Sequence, residues 1–207
     1  MEIPKDISNG NAKRAIIIAA AGTLFRTHGY GSTSMDAIAR AAGVSKATLY
    51  AHFSGKDALF AAIVDAECRR SRESLDLPAL DQSAPDAVLM RIGQNYLDLL
   101  LAPHVLETFR MVVSESPRFP ELGRAFYESG PAAILKHLAD YFSLVHARGQ
   151  LIVPEPMLAA EQFLGMIRGP VHLRALFCME EKPVESEVVH ILEGAIAAIM
   201  ALYRRLG

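Results

Sequence analysis

The stretch TSMDAIARAAGVSKATLYAHFSGK, residues 33–56, predicts two short helices joined by a tight turn. Thr33 stands where it can cap the first helix, with Asp36 three residues later. Gly43 ends that helix, because glycine adopts a left-handed backbone conformation without a Cβ clash. Ser45 stands where it can cap the second helix. The stretch therefore predicts a helix-turn-helix.

The second of these helices has two different sides. Leu49 and Phe53 lie four residues apart and share one side, which we expect to pack on a core. The opposite side is small, nearly flat and fringed with groups that favour phosphate; its members are Lys46, Ala47, Thr48, Tyr50 and Ala51. A side of this kind suits insertion into the major groove of DNA.

Eight residues are candidates for contact with DNA: Thr33, Ser45, Lys46, Ala47, Thr48, Tyr50, His52 and Lys56. The two lysines can neutralise phosphates without reading sequence. An alanine methyl can meet a thymine methyl, and a threonine hydroxyl can serve either kind of base pair. Thr33 and Ser45 would act as helix caps with or without DNA, so both roles remain open for them.

The run GYGSTSMDAIARAAGVSKATLYAHFSGKDALF, residues 29–60, resembles the DNA-binding module of the TetR family of bacterial transcriptional regulators. The resemblance rests on many positions at fixed spacing: Phe25, Gly29, Tyr30, Thr33, Ile38, Ala39, Ala42, Gly43, Val44, Ser45, Leu49, Tyr50, His52, Phe53, Lys56, Leu59 and Phe60. It implies a dimeric, all-helical, ligand-responsive repressor in which Thr33, Tyr50 and His52 contact phosphates. The rest of the chain matches only in helical pattern and length, so the resemblance implies no particular ligand.

Charge is divided unevenly along the 207 residues. Residues 1–56 carry seven Lys and Arg against three Asp and Glu, a net charge of +4, whereas the remainder carries 14 against 20, a net charge of −6. This asymmetry favours DNA contact at the amino-terminal end. Together with the resemblance, which implies a ligand-responsive dimer, the asymmetry predicts a DNA-binding domain at residues 1–56 and an effector-binding and dimerisation domain at residues 57–207.

Periodicity and proline positions predict about nine helices and an all-α fold. After an arm at residues 1–11 that we expect to be mobile, the helices beyond the motif are expected near residues 12–28, 57–74, 87–101, 104–114, 120–147, 156–179 and 183–206. The third from last could break near Gly130 and Pro131. Residues 75–86, with two prolines, are the best candidate for a linker.

The last helix carries two apolar stripes side by side. One contains Val188, Leu192, Ala195, Ile199 and Leu202, and the other contains Val189, Ile196, Met200 and Tyr203. A helix that is apolar on two sides must bury both. We predict that one stripe faces its own domain and that the other meets a second subunit, so that residues 156–179 and 183–206 form a homodimer interface. A fully buried helix in a monomer is the alternative.

The effector-binding candidates are Tyr96, Phe109, Arg110, Phe126, Met166, Arg168 and His172. Ordinary core packing also explains the aromatic members. The polar members are more suggestive, because Arg168 precedes Gly169-Pro170, which must kink its helix. A cavity beside that kink would suit a small apolar or amphipathic effector, although His172 could equally be a core or interface histidine.

Other classes of function find little support. No nucleophile elbow, phosphate-binding loop, dinucleotide fingerprint or metal-spaced His/Cys set occurs, so we expect no catalytic residue, no metal and no cofactor. Two cysteines do not make a disulfide framework, and no apolar stretch is long enough to cross a bilayer, which predicts a cytoplasmic protein. The remaining alternative is a helix-turn-helix activator or architectural DNA-binding protein without a ligand, which would have a solid carboxy-terminal core.

Overall fold

The computed structural model describes residues 5–73, 84–179 and 183–204, and these residues contain helices and no strand. The described helices are α1 (Lys5–His28), α2 (Met35–Ala41), α3 (Lys46–His52), α4 (Lys56–Glu73), α5 (Pro85–Leu100), α6 (Pro103–Glu115), α7 (Pro120–Ser129), α8 (Pro131–Ala147), α9 (Pro156–Leu176) and α10 (Glu185–Leu202). The predicted all-α fold is confirmed. Most of the predicted linker lies outside the described residues.

One helix boundary differs from the prediction and one predicted break is found. Helix α1 begins at Lys5, so residues 5–11 are not the mobile arm that we predicted. Extending a helix costs less than starting one, and a poor helix former such as Gly10 costs only about 1 kcal/mol relative to alanine. The break predicted near Gly130 and Pro131 in the helix expected at 120–147 is confirmed: α7 ends at Ser129, and Pro131 opens α8 because proline is tolerated at a helix start. This division raises the number of described helices to ten.

The chain forms two compact units, and both are built from separate pieces of sequence. The first unit contains residues 1–66 and 107–130, and the second contains residues 67–106 and 131–207. Helices α4 and α6 each run from one unit into the other. The predicted boundary at residue 56 separates DNA binding from effector binding and dimerisation, which the compact units do not test. It stays a prediction.

An aromatic cluster forms the centre of the first unit. Tyr30 is 2% exposed, and its ring lies 5.3 Å from that of Phe25 and 6.0 Å from that of Phe60. Burial is the main cause that raises the pKa of Tyr30 to about 12. Contacts of this kind between tilted rings stabilise a core beyond their area alone. The cluster therefore joins α1 and α4 to the loop that leads into α2.

The second unit has its own core. Helix α9 packs on both α8 and α5, and helix α10 packs on both α5 and α9. Gly93 of α5 allows a close approach to α10, since a Cβ there would lie 2.4 Å from Leu192 Cδ2. Helix α9 is interrupted at Gly169, which has φ 28° and ψ −147° and precedes Pro170. The kink predicted at this point is confirmed.

Helix α10 buries its two predicted stripes together rather than on opposite sides. Leu192, Ala195, Ile196, Ile199 and Tyr203 are all buried within the second unit, whereas Leu202 is 62% exposed. The assignment of one stripe to each partner was therefore wrong, because the stripes are adjacent and merge into one face. The side that remains exposed carries smaller residues: Gly194, Ala197, Ala198 and Ala201.

Candidate nucleic-acid interface

The start of α2 is capped by Ser34, not by Thr33 as we predicted. The Ser34 hydroxyl accepts a hydrogen bond from Ala37 N at 3.1 Å. Thr33 lies one residue earlier and is 3% exposed, and its hydroxyl donates to Gly29 O at 2.8 Å and lies 3.3 Å from Leu24 O. Threonine and serine are both good caps, so their order could not be decided from sequence. In this conformation the Thr33 side chain faces the protein.

Helix α3 is oriented as its two sides predict. Ser45 caps it, with its hydroxyl accepting from Thr48 N at 3.0 Å. Leu49 is fully buried and Phe53 is 4% exposed, so one side of α3 packs on the core. The other side is open to solvent, with Lys46, Ala47, Tyr50 and Ala51 exposed and Thr48 half-buried.

Lys46 is held by a neighbour on α2. Its Nζ lies 2.8 Å from Asp36 Oδ1 and 3.2 Å from Asp36 Oδ2, with both side chains exposed. The hydrogen bond to Asp36 is the first cause that raises the pKa of Lys46. This lysine is charged and lies at the exposed start of α3. A phosphate that approaches Lys46 would compete with the Asp36 carboxylate.

Lys56 bonds to the protein itself, whereas a lysine that only contacts phosphate would extend into solvent. Its Nζ donates to Tyr30 O at 2.8 Å and lies 4.5 Å above the centre of the Tyr30 ring. Partial burial is the main cause that lowers its pKa. Lys56 therefore stabilises the loop between α1 and α2, and a phosphate contact would be an additional role.

A shallow depression of about 400 Å³ joins several of the predicted DNA contacts. Its lining brings together Gly31, Ser32, Thr33, Ser34, Met35, Asp36, Tyr50 and Lys56. Tyr50, which is 47% exposed, and Lys56 offer a phenol and an ammonium group on the same surface. Hydroxyl and ammonium donors beside an exposed helix are the groups that contact a DNA backbone. Ser45, Ala47, Thr48 and His52 are not part of this lining.

One basic residue beside α3 was missed by the sequence reasoning. The guanidinium carbon of Arg14, on α1, lies 5.2 Å from the centre of the Phe53 ring. His52 is half-buried, and its ring lies 6.4 Å from the same phenylalanine. Arg14 is separated from Phe53 by almost forty residues, so no local pattern could indicate the contact. Its charge adds to the positive field around the end of α3.

The effector candidates do not form a single cluster within either unit. Phe109, Arg110 and Phe126 belong to the first unit, where the two phenylalanine rings lie 5.7 Å apart. Tyr96, Met166, Arg168 and His172 belong to the second unit. Tyr96 is half-buried, whereas Met166 and Arg168 are exposed. Their common role in binding an effector stays a prediction.

Arg168 and His172 meet at the kink of α9. Arg168 Nε donates to His172 Nδ1 at 3.0 Å, and His172 is 2% exposed. Burial, followed by the charge of Arg168, lowers the pKa of His172 to about 4. The imidazole is therefore neutral at neutral pH. A buried neutral histidine that accepts from an arginine can orient that guanidinium.

Within residues 5–73, 84–179 and 183–204, no group of three or more His, Cys, Asp or Glu side chains could hold a metal ion. Over the same ranges, no helix combines the length and the hydropathy needed to span a bilayer.

Family models match two parts of the chain. Residues 17–63 match the model of the bacterial regulatory proteins of the tetR family. Residues 87–205 match the model of the carboxy-terminal domain of AefR-like transcriptional repressors. The first match covers the helix-turn-helix, and the second covers more than half of the chain.

Solved structures are similar to almost the whole chain, whereas the curated relatives are similar to about a third of it or less. A solved structure of the flavonoid-responsive regulator FrrA is 37% identical, with a TM-score of 0.79 over 95% of this chain and 100% of that one. A Mesorhizobium loti structure described as a TetR-family transcriptional regulator is 28% identical, with a TM-score of 0.78 over 94% of this chain and 98% of that one. The regulator EthR of Mycolicibacterium smegmatis is 31% identical over 68 residues, or 33% of this chain. The chain spans between 24% and 38% of the length of the curated relatives it matches.

Proposed function

This chain belongs to the TetR family of bacterial transcriptional regulators, and from that premise we propose that it is a repressor released from its operator by a small effector. The observation that carries the proposal is the open side of α3. Leu49 is fully buried, while Lys46, Ala47, Tyr50 and Ala51 are exposed on the opposite side. A helix anchored on one side and open on the other can enter a major groove.

The DNA contacts that we propose are the eight residues named from the sequence, with different roles. Lys46 and Tyr50 contact phosphates, and Ser45, Ala47 and Thr48 lie where base edges come within reach. His52 lies at the end of the same helix and contacts a phosphate. Thr33 and Lys56 act mainly by shaping the loop before α2, since both bond to backbone carbonyls within the first unit.

The active form that we propose is a homodimer through α9 and α10. The exposed side of α10 includes Gly194, Ala197, Ala198, Ala201 and Leu202, which permit close approach of a second helix, and it carries the polar residues His190 and Glu193 one turn earlier. Exposed apolar side chains on α9, Leu158 and Leu173, extend this surface. A two-fold dimer would present two copies of α3 to a near-palindromic operator.

The effector that we propose is an aromatic, amphipathic molecule. The relative that is 37% identical over 95% of this chain is named as flavonoid-responsive, and a flavonoid combines an apolar ring system with hydroxyl groups. Tyr96, Met166, Arg168 and His172 of the second unit supply aromatic, apolar and polar groups of this kind, and Phe109, Arg110 and Phe126 of the first unit are a separate set of candidates. The protein is proposed to act in the cytoplasm without catalysing a reaction.

The decisive experiment is selection of fragmented genomic DNA by the purified protein. We expect a small set of fragments that share a near-palindromic sequence, and we expect Tyr50→Ala to lose them while remaining folded. Enrichment without a shared sequence would support an architectural protein and would contradict the repressor proposal.

The effector proposal has a separate test. A ligand that binds only the folded state raises the melting temperature by mass action. We expect naringenin to raise it and to release the selected DNA, and we expect palmitate, a straight-chain carboxylate, to do neither. The reverse result would contradict an aromatic effector while leaving DNA binding intact.

A further inference from the structure

The loop between α1 and α2 is held by a carboxylate from far along the chain. Glu115, the last residue of α6, accepts hydrogen bonds from Tyr30 N and Gly31 N, each at 2.6 Å. The two oxygens of one carboxylate thus satisfy two successive backbone donors. Hydrogen bonds to a charged acceptor are stronger than those between neutral groups.

A lysine holds the same two residues from their carbonyl groups. Lys56 Nζ donates to Tyr30 O at 2.8 Å and lies 3.5 Å from Gly31 O. Its ammonium group also lies 5.7 Å from the centre of the Phe119 ring, which packs against the Tyr30 ring at 5.5 Å. The backbone N–H groups of the loop are therefore bound by the Glu115 carboxylate, and its backbone carbonyl groups are bound by the Lys56 ammonium group.

The loop sequence permits this close contact. A Cβ on Gly29 would lie 2.7 Å from Glu115 Oε1, and a Cβ on Gly31 would lie 2.9 Å from Phe119 Cε2. Gly29 also has φ 81°, a conformation that favours glycine. Both glycines thus leave room for the end of α6 and the start of α7. Larger residues at either position would push Glu115 away from the loop.

The loop that Glu115 holds leads directly into the candidate DNA-binding surface. Gly31, Ser32, Thr33 and Ser34 line the depression beside Tyr50. Ser34 then caps α2. A shift of the loop would move both the cap and the lining. Helix α6 itself begins at Pro103, in a segment of the second unit, so its backbone is continuous from one unit to the other.

We propose that Glu115 is a positioning residue for DNA binding, which holds the loop at residues 29–31 in the shape that lets α2 and α3 contact DNA. The proposal rests on the proposed function as a DNA-binding repressor. Glu115 touches no DNA in this scheme. It acts through Tyr30 N and Gly31 N, so that movement of the end of α6 changes affinity for the operator.

The direction of the effect separates positioning from simple electrostatics. Glu115→Gln removes a negative charge from the DNA-binding unit, which by charge alone would strengthen binding to DNA. Because the amide can no longer accept from both backbone donors, we expect binding to weaken instead, by about tenfold. Fluorescence anisotropy of the full-length protein with a duplex selected by the wild type measures this affinity.

Glu121→Gln is the matched control. Glu121 is an exposed carboxylate in the first turn of α7 and contributes to the field at both Tyr30 and Lys56, but it accepts neither of the two loop hydrogen bonds. We expect its affinity to stay equal to that of the wild type or to rise slightly.

The slope of log affinity against log salt should be unchanged in Glu115→Gln, because no phosphate contact is lost.

A loss of stability alone must also be separated from a loss of positioning. Ile17→Val, at a fully buried position of α1, is expected to lower the melting temperature while it leaves the sequence of the loop and Glu115 unchanged. We expect this variant to bind DNA normally at 25 °C. Hydrogen–deuterium exchange of the peptide covering residues 26–34 should be faster in Glu115→Gln than in Ile17→Val.

Should Glu115→Gln fail to fold, Glu115→Asp tests the same contact, since it keeps the negative charge and withdraws the carboxylate from Tyr30 N and Gly31 N by one methylene group. Weaker DNA binding in a folded variant supports the proposal. Wild-type affinity in whichever of the two variants folds overturns it. Failure of the wild-type protein to select any DNA would instead contradict the proposed function itself.

Discussion

Helices α3 and α10 both expose a row of small residues, but the groups beside the two rows differ. The row on α3 is Ala47 and Ala51, and it is accompanied by the polar side chains of Lys46, Thr48 and Tyr50. The row on α10 is Gly194, Ala197, Ala198 and Ala201, and it continues into the apolar side chain of Leu202. Small residues permit another molecule to come close in either case. We propose that the side chains beside each row decide whether that molecule is a charged duplex or a helix of a second subunit.

The largest expected effect comes from a charge placed in the row on α10. Ala198→Arg would bring two guanidinium groups together at the proposed dimer interface, so we expect monomers and operator affinity weaker by roughly 10²-fold or more, since the two half-sites would no longer be bound jointly. Sedimentation velocity and anisotropy measure the two effects. Ala147→Arg, at an exposed alanine of α8, is the control. A dimer that persists in Ala198→Arg would place the interface elsewhere.

The next effect comes from removing the polar groups beside the row on α3. Tyr50→Ala and Lys46→Ala are each expected to weaken operator binding by about tenfold or more without unfolding the protein. Lys46→Ala should also lower the salt slope by about 0.9, because one phosphate contact is lost. Tyr127→Ala and Lys136→Ala remove the same chemical groups at other exposed positions and should leave affinity unchanged. Unchanged gel-shift affinity in Tyr50→Ala and Lys46→Ala would refute this use of α3.

We expect the free energy of unfolding of the second unit to fall at acid pH, because His172 is buried in that unit in its neutral form. Its folded pKa of about 4 lies below the unfolded value of 6.5, so between these values the unfolded chain binds a proton that the folded chain does not. Stability therefore falls as the pH drops from about 6.5 towards 4, by on the order of 1–3 kcal/mol. Urea unfolding at pH 7.5 and pH 5 should show a smaller pH dependence in His172→Gln than in the wild type. Equal pH dependence in both would exclude this histidine as the cause.

The smallest expected effect is a gain in binding by α3. Asp36→Asn removes the carboxylate that holds Lys46 at 2.8 Å and lowers the negative charge beside the row. Exposed ion pairs are weak, so we expect operator affinity to rise by only about twofold to fivefold. The gain should disappear at high salt and in the double variant with Lys46→Ala. A loss of affinity would mean that Asp36 orients Lys46 for DNA.

Local signals were sufficient for α3 and its surroundings. Ser45, Leu49 and Phe53 occupy the positions that their spacing predicts, and the resemblance of residues 29–60 to the TetR family is confirmed. The cap of α2 was misplaced by one residue, because Thr33 and Ser34 are both suitable caps. The direction of the hydroxyl depends on Gly29 O and Leu24 O, which are brought to Thr33 by the folded loop.

Contacts between distant parts of the sequence were not predictable. Glu115 meets Tyr30 across 85 positions, and nothing in ESPRF, residues 115–119, indicates that its acid accepts from a backbone loop. Both stripes of α10 were recognised as apolar, but which of their residues are buried depends on packing against α5 and α9, which lie elsewhere in the sequence. The proposed effector contacts depend on such packing even more, which is why the sequence suggests a class of ligand and no compound.

The discontinuity of the first unit limits how its specificity can be transplanted. Residues 1–66 pack with residues 107–130, and Glu115 and Phe119 fit against Gly29 and Gly31. A chimera that grafts only the amino-terminal segment onto another regulator would bring the two glycines without the acid and the ring that match them. Exchange of both segments together should yield a hybrid that still recognises the donor's operator, so the transferable module is a pair of segments rather than one contiguous domain.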